Sequence, residues 1–256
     1  MSAVALHAAQ SGSGEAVVLA HAIGCDHRMW DSLAAALSPQ FHVIGVDARG
    51  HGQSPVPKGP YSLEEMAGDV VALLDKLGIA RAHWVGLSMG GMLGQSFAID
   101  HPERLHRLVL ANTTSSYGPE GPGLWEARMK AVSEGGMAAI VDVVMTRYFS
   151  EEFRATHPKV VSAYRKRVLS TSAQGYIACC AAIRDLDFTR DLPGIRARTL
   201  VVAGEKDAGT PVAMSEEIVR HIPGARLAVI PGAAHLSAVD SASEFNALIR
   251  AFLTDP

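Results

Sequence analysis

The chain has 256 residues, 48% of them hydrophobic and 19% charged, which excludes a disordered polypeptide and supplies a sizeable core without disulfides or metal. A formal net charge of −3 and a sequence pI near 6.4 argue against a generally basic, nucleic-acid-binding surface. Only 6% of residues are aromatic, so the core must be mostly Ala, Val, Leu and Ile. The three cysteines, Cys25, Cys179 and Cys180, are odd in number and give no disulfide framework. Eleven histidines show no zinc-type spacing with cysteine or glutamate, so no metal is expected. Met1 to Gln10 lacks the basic start of a signal peptide, and no run approaches the roughly 18 apolar residues of a membrane helix. The expectation is a soluble cytoplasmic protein with no membrane partner.

In chain order, short aliphatic runs fall at Ala16–Ala20, Phe41–Val46, His83–Gly86, Leu108–Ala111, Thr199–Ala203 and Leu227–Ile230. Each is followed by Gly, Asp or Asn, and all read as buried strands of a largely parallel sheet. Leu63–Leu77 between them is an amphipathic helix, started by a Ser62/Glu65 capping box and stopped at Gly78. The alternation breaks after Asn112. Gly and Pro punctuate residues 118–123, and helical segments follow at Leu124–Ser133, Gly136–Tyr148, Pro158–Ser170 and Gln174–Asp185. Eight of the fifteen aromatic residues lie in this stretch, although it is under a third of the chain. The expected fold is therefore α/β: a mostly parallel central sheet flanked by helices, with an inserted helical lid. Residues 1–112 and 193–256 would form the core and 113–192 the lid.

Gly86-Leu-Ser88-Met-Gly90 follows a strand and opens a small-residue helical run, Gly90 to Ile99. That is the setting of a nucleophile elbow, in which a tight turn exposes the serine and aims a helix N-terminus at the reacting centre. An ordinary glycine-rich turn would read the same in isolation. A serine needs a base, and the base an orienting carboxylate. Later strands supply both: Thr199 to Asp207 ends on an acid, Leu227 to His235 on a histidine, in the order Ser, Asp, His. Asp207 could be a plain turn residue, with Glu205 as rival acid, and His235 a surface histidine. An oxyanion hole would use the backbone N–H of Met89 and, from the loop His21-Ala-Ile-Gly24, that of Ile23. His21 reads as a brace of that loop.

These segments, with Asp47-Ala-Arg-Gly-His-Gly-Gln-Ser54 and His101-Pro-Glu-Arg104, resemble the α/β-hydrolase family over nearly the whole chain. Asp47 to Ser54 is a turn motif in that family, with no chemistry assigned to Asp47. A narrower resemblance is to the 3-oxoadipate enol-lactonases. It rests on Gly59-Pro-Tyr-Ser62, on Leu124-Trp-Glu-Ala-Arg128 with Gly135-Gly-Met137, and on Gly175-Tyr-Ile-Ala-Cys-Cys-Ala-Ala-Ile-Arg-Asp-Leu-Asp187. One departure is the oxyanion loop Ala20-His-Ala-Ile-Gly24, where those enzymes usually carry a Ser/Asn-type loop; the donor is a backbone amide in either case. The resemblance implies a cofactor-free serine hydrolase acting on a small ester or lactone. A lactone of this class carries a carboxylate, for which Arg128 is the candidate contact, Arg147 the next, and Trp125 a pocket wall. Arg128 and Trp125 could equally be surface or core residues. A general carboxylesterase or perhydrolase would use the same triad, a haloalkane dehalogenase would need a carboxylate at position 88, and a non-catalytic receptor could share the fold.

Overall fold

The computed structural model describes residues 3–255. Its first half runs β1 (Ala8–Ser11), β2 (Glu15–Ala20), α1 (Asp31–Leu37), β3 (Phe41–Val46), α2 (Leu63–Lys76), β4 (Ala82–Leu87), α3 (Met89–Asp100) and β5 (Leu105–Ala111). Five helices follow: α4 (Gly121–Gly135), α5 (Val141–Tyr148), α6 (Glu151–Thr156), α7 (Pro158–Ser170) and α8 (Ala173–Arg184). The chain then closes with β6 (Arg198–Gly204), α9 (Val212–His221), β7 (Arg226–Ile230), α10 (Ser237–Asp240) and α11 (Ala242–Thr254).

The seven strands form one sheet in the order β1-β3-β2-β4-β5-β6-β7, parallel throughout except for β1 against β3. β5 and β6 are neighbours in register, Leu110 beside Val201, although the five helices α4–α8 separate them in the chain. β2, β4, β5 and β6 are buried along nearly their whole length, which is why their sequences run aliphatic rather than alternating. The α2 start is the capping box expected: Ser62 Oγ accepts from the Glu65 amide and Glu65 reaches back to the Ser62 amide.

Four differences from the sequence reading have physical causes. β1 (Ala-Ala-Gln-Ser) is an exposed antiparallel edge with no hydrophobic signature. β7 is not a buried strand: it is the opposite edge, half open, with Val229 41% exposed. α4 begins at Gly121, earlier than Leu124, because Pro122 sits in its first turn, where the missing N–H has no helical partner to lose. Gly136 to Tyr148 is not one helix: Gly136 takes φ 63° and closes α4, a short 3-10 turn spans Met137–Ala139, and α5 starts at Val141. No helix among the described residues is long and apolar enough to cross a membrane.

Candidate active site

The residues that carry the candidate chemistry all follow C-terminal ends of neighbouring parallel strands. Ile23 follows β2, Ser88 β4, Asp207 β6 and His235 β7. Ser88 sits at φ 56°, ψ −116°, a conformation that costs an L-residue about 1–3 kcal/mol and persists only where the surroundings dictate it. Here they do. The Ser88 amide donates to Ala111 O, its carbonyl accepts from the amides of Gly91 and Met92, and Thr113 Oγ1 adds a bond of 2.8 Å. The flanking glycines are steric necessities: a Cβ at Gly86 would lie 2.0 Å from Gly90 O, and one at Gly90 would lie 1.9 Å from Ala20 O. Met89, the first residue of α3, presents one of the amides that a helix start leaves without a helical acceptor.

Asp207 is buried, and its carboxylate collects five donors. Oδ1 accepts from the amides of Gly209 (2.7 Å) and Thr210 (3.0 Å). Oδ2 accepts from His235 Nδ1 (2.8 Å), Asn112 Nδ2 (2.9 Å) and Thr210 Oγ1 (2.7 Å). Burial alone would raise its pKa; the adjacent His235 and the converging donors outweigh that and hold the carboxyl well below the usual range. With its Nδ1–H held by a permanent carboxylate, His235 carries its acceptor at Nε2. Glu205, the rival acid, is exposed and accepts from the Gly232 amide, 2.8 Å.

Sequence reasoning missed Asn112. It takes φ 45° at the end of β5, donates to Asp207 and to Ala234 O (3.2 Å), and accepts from Ser237 Oγ. It also missed Thr210, whose signal was available in the Asp207-Ala-Gly-Thr210 turn. His21 braces the Ala22–Gly24 loop: Nδ1 donates to Ala22 O (2.8 Å) and Nε2 accepts from the Ala48 amide (3.0 Å). Burial lowers its pKa. His51, from the turn motif, does the same on the other side, accepting from the Gly24 amide at 2.9 Å. Asp47 is spent on the His27 amide (2.7 Å), His27 Nδ1 (2.9 Å) and the Gln53 amide (2.9 Å). His7, His27 and Asp47 lie close enough to be metal ligands, a grouping their spacing in sequence did not reveal. The three cysteines are free and buried.

Two arginines of the α4–α8 segment lie beside loops of this site. Trp125 and Arg128 share one face of α4, the guanidinium 5.2 Å from the indole centroid. Arg128 Nη1 reaches Tyr176 Oη at 3.4 Å, and Tyr176 borders the Ala22–Gly24 loop, 3.5 Å from where a Gly24 Cβ would stand. Trp125 is buried, and its Nε1–H has no acceptor among the described residues. Arg147 lies against Gly209, two residues beyond Asp207. Neither Arg128 nor Arg147 enters an ion pair among the described residues.

Asp240 supports the His235 loop: its Oδ2 accepts from the Ala234 amide at 2.7 Å. Burial pushes its pKa up to about 6. A carboxyl raised in the folded state contributes stability that is complete below its unfolded pKa and lost as pH rises through the folded one. Asp240→Asn keeps an oxygen for Ala234 and removes the charge. The gain in Tm of Asp240→Asn over the parent should therefore widen between about pH 4 and pH 7, to roughly 3 °C. Thermal denaturation across that range checks it, and a constant difference would count against it.

The family described as alpha/beta hydrolase fold matches residues 15–242. A 3-oxoadipate enol-lactonase of Acinetobacter baylyi is 35% identical, over 98% of this chain and 93% of its own. The crystal structure of the enol-lactonase from Burkholderia xenovorans superposes with a TM-score of 0.95 at 37% identity, covering 98% of this chain and 96% of its own. A putative carbamate hydrolase, RutD, of Pseudomonas syringae is 29% identical over 97% of each chain.

Proposed function

We propose that this chain, which belongs to the alpha/beta hydrolase family and is a hydrolase, opens an enol-lactone that bears a carboxylate, 3-oxoadipate enol-lactone to 3-oxoadipate. The observation that carries the reading is the pair on α4: a half-buried guanidinium with no anionic partner among the described residues, beside a buried indole N–H with no acceptor among them. Leaving such a donor unpaired costs about 1–3 kcal/mol, which a ligand carboxylate bonded to both groups would recover. The similarity to enol-lactonases over nearly the full length of both chains supports the same substrate class.

In this mechanism His235 Nε2 takes the Ser88 proton as Oγ attacks the lactone carbonyl. The amides of Met89 and Ile23 stabilise the oxyanion. Collapse of the adduct breaks the ring C–O bond, and His235 returns the proton to the enol oxygen. The enol stays tethered to the acyl group and ketonises, which draws the equilibrium toward opening. Water, deprotonated by His235, then attacks the acyl-enzyme and releases Ser88 and the second carboxylate. Residues 113–192 act as the lid that closes the pocket over this centre.

Consumption of the enol-lactone followed by ultraviolet absorbance, with p-nitrophenyl acetate as the neutral control, tests the assignment. Arg128→Ala should raise KM for the acidic lactone about 10- to 100-fold and leave the neutral ester nearly unchanged. Equal effects on both substrates would remove Arg128 from the carboxylate site. The similarity to a carbamate hydrolase favours a second reading, in which the same triad cleaves neutral esters or carbamates; preference for those over the lactone would decide for it.

A further inference from the structure

Residues Ala22–Cys25 form a tight turn closed by a bond from the Cys25 amide to Ala22 O, 3.0 Å, with Gly24 at φ 78°. A positive φ at the third position marks the type II form, which differs from type I by a flip of the central peptide. That central peptide joins Ile23 to Gly24, and both of its polar ends are held from outside the turn. Its N–H donates to His51 Nε2 at 2.9 Å, and its carbonyl accepts from the Tyr148 hydroxyl. The preceding peptide, whose N–H belongs to Ile23, is anchored through Ala22 O by His21 Nδ1 (2.8 Å) and the Cys25 amide. In a trans peptide the N–H points opposite the carbonyl, so these anchors also aim the Ile23 N–H.

His21 and His51 lie in the first half of the chain, between β2 and α2. Tyr148 comes from a distant segment: it ends α5, within the helices between β5 and β6. It is buried, and it also touches the other half of the site. Its ring stacks on His235, centroids 6.0 Å and planes 20° apart, and its own carbonyl accepts from the Leu236 amide at 3.0 Å. One residue thus spans from the oxyanion loop to the base loop. Burial brings the His51 pKa down to about 3, so its Nε2 stays an acceptor across the working pH range, and the hydroxyl of Tyr148 is the remaining adjustable hold on the turn.

We infer that Tyr148 is a positioning residue: it keeps the oxyanion turn in its type II form and sets the turn's separation from His235, so that the lid helps to organise the oxyanion hole. The inference rests on the proposed reading of Ile23 as an oxyanion donor. Tyr148→Phe removes the hydroxyl and keeps the stack. With p-nitrophenyl acetate, a substrate independent of the lactone assignment, kcat should fall about tenfold and KM stay within about twofold, since the loss is specific to the transition state. Affinity for phenylboronic acid, which forms a tetrahedral adduct on the serine, should fall in parallel with kcat/KM.

Phe153→Leu controls for a loosened lid. Phe153 stacks on Phe149 and His157 rather than on Tyr148 or His235, and this variant should keep its kcat. Tyr148→Phe with kcat and boronate affinity both within twofold of the parent overturns the inference, as does an equal kcat loss in Phe153→Leu. Ser88→Ala, assayed alongside, separates the two levels. If it is inert while Tyr148→Phe is fully active, only the positioning role fails; if it turns over normally, the site itself has been misread and the inference goes with it.

Discussion

Ser88→Ala is expected to lower kcat by about 10⁵-fold or more with little change in folding. The reason lies in what the rest of the site can still do. The elbow is pinned through the Ser88 backbone, by Ala111 O, by the Gly91 and Met92 amides and by Thr113, and none of those bonds uses Oγ. The turn, the Met89 amide and the Asp207–His235 pair should therefore survive the substitution. Any residual rate would come from the oxyanion donors acting on water without an acyl-enzyme. Steady-state assay with a trace-contamination control, together with a mass measurement for an acyl adduct in the parent and its absence in the variant, checks both parts. Parent-like turnover by the alanine variant would refute covalent catalysis at this position. Gly90→Ala should fail in the opposite manner. Its Cβ would collide with backbone at Ala20, so folding is lost along with activity.

The parts of this molecule that were legible in the sequence are those where local chemistry dictates residue type. A serine at φ 56° with a helix packed under it demands glycine at 86 and 90, and the pattern shows through. Strands buried on both faces demand aliphatic runs, so β2 to β6 were visible while the exposed edge β1 was not. Asp207 follows the buried run of β6, His235 follows the aliphatic though half-open β7, and both could be found by position. Asn112 also ends a strand, but its purpose is set by partners 95 and 122 residues away, at Asp207 and Ala234, which no local pattern encodes. His51 and Tyr148 are hidden for the same reason: each grips a peptide of the oxyanion turn from a distant segment. α6 is six residues long, too short for a helical period, and is announced only by the Ser150 cap. The α4 pair, Trp125 and Arg128, was readable as a shared face from its i, i+3 spacing, but the missing acceptor beside the indole emerges only from the packing.

Asp207→Asn is expected to cost about 10⁴-fold in kcat with KM nearly unchanged, more than a lost ion pair alone would explain. The carboxylate accepts from five donors and offers none. An asparagine can turn its oxygen to the Gly209 and Thr210 amides, and then its NH2 group faces His235 Nδ1, Asn112 Nδ2 and Thr210 Oγ1. All three are donors in the parent arrangement; the Thr210 hydroxyl can rotate to accept, but the imidazole must accept at Nδ1 as well, which moves its proton to Nε2. The ring nitrogen that should take the Ser88 proton is then already protonated, and no base remains. Turning the amide over restores the His235 bond but sets NH2 against two backbone amides that have no other acceptor. In the first arrangement Asn112 Nδ2 faces a donor, in the second the Gly209 and Thr210 amides do, at buried positions in both cases, so a stability loss of about 1–3 kcal/mol should accompany the loss of rate. Asp207→Glu retains the charge but not the reach, since the Gly209 and Thr210 amides fix Oδ1 within 3.0 Å; it should recover only part of kcat. An Asn variant that kept most of its kcat would mean that Asp207 serves the turn alone, and that His235 is oriented by Tyr148 and Thr210 instead.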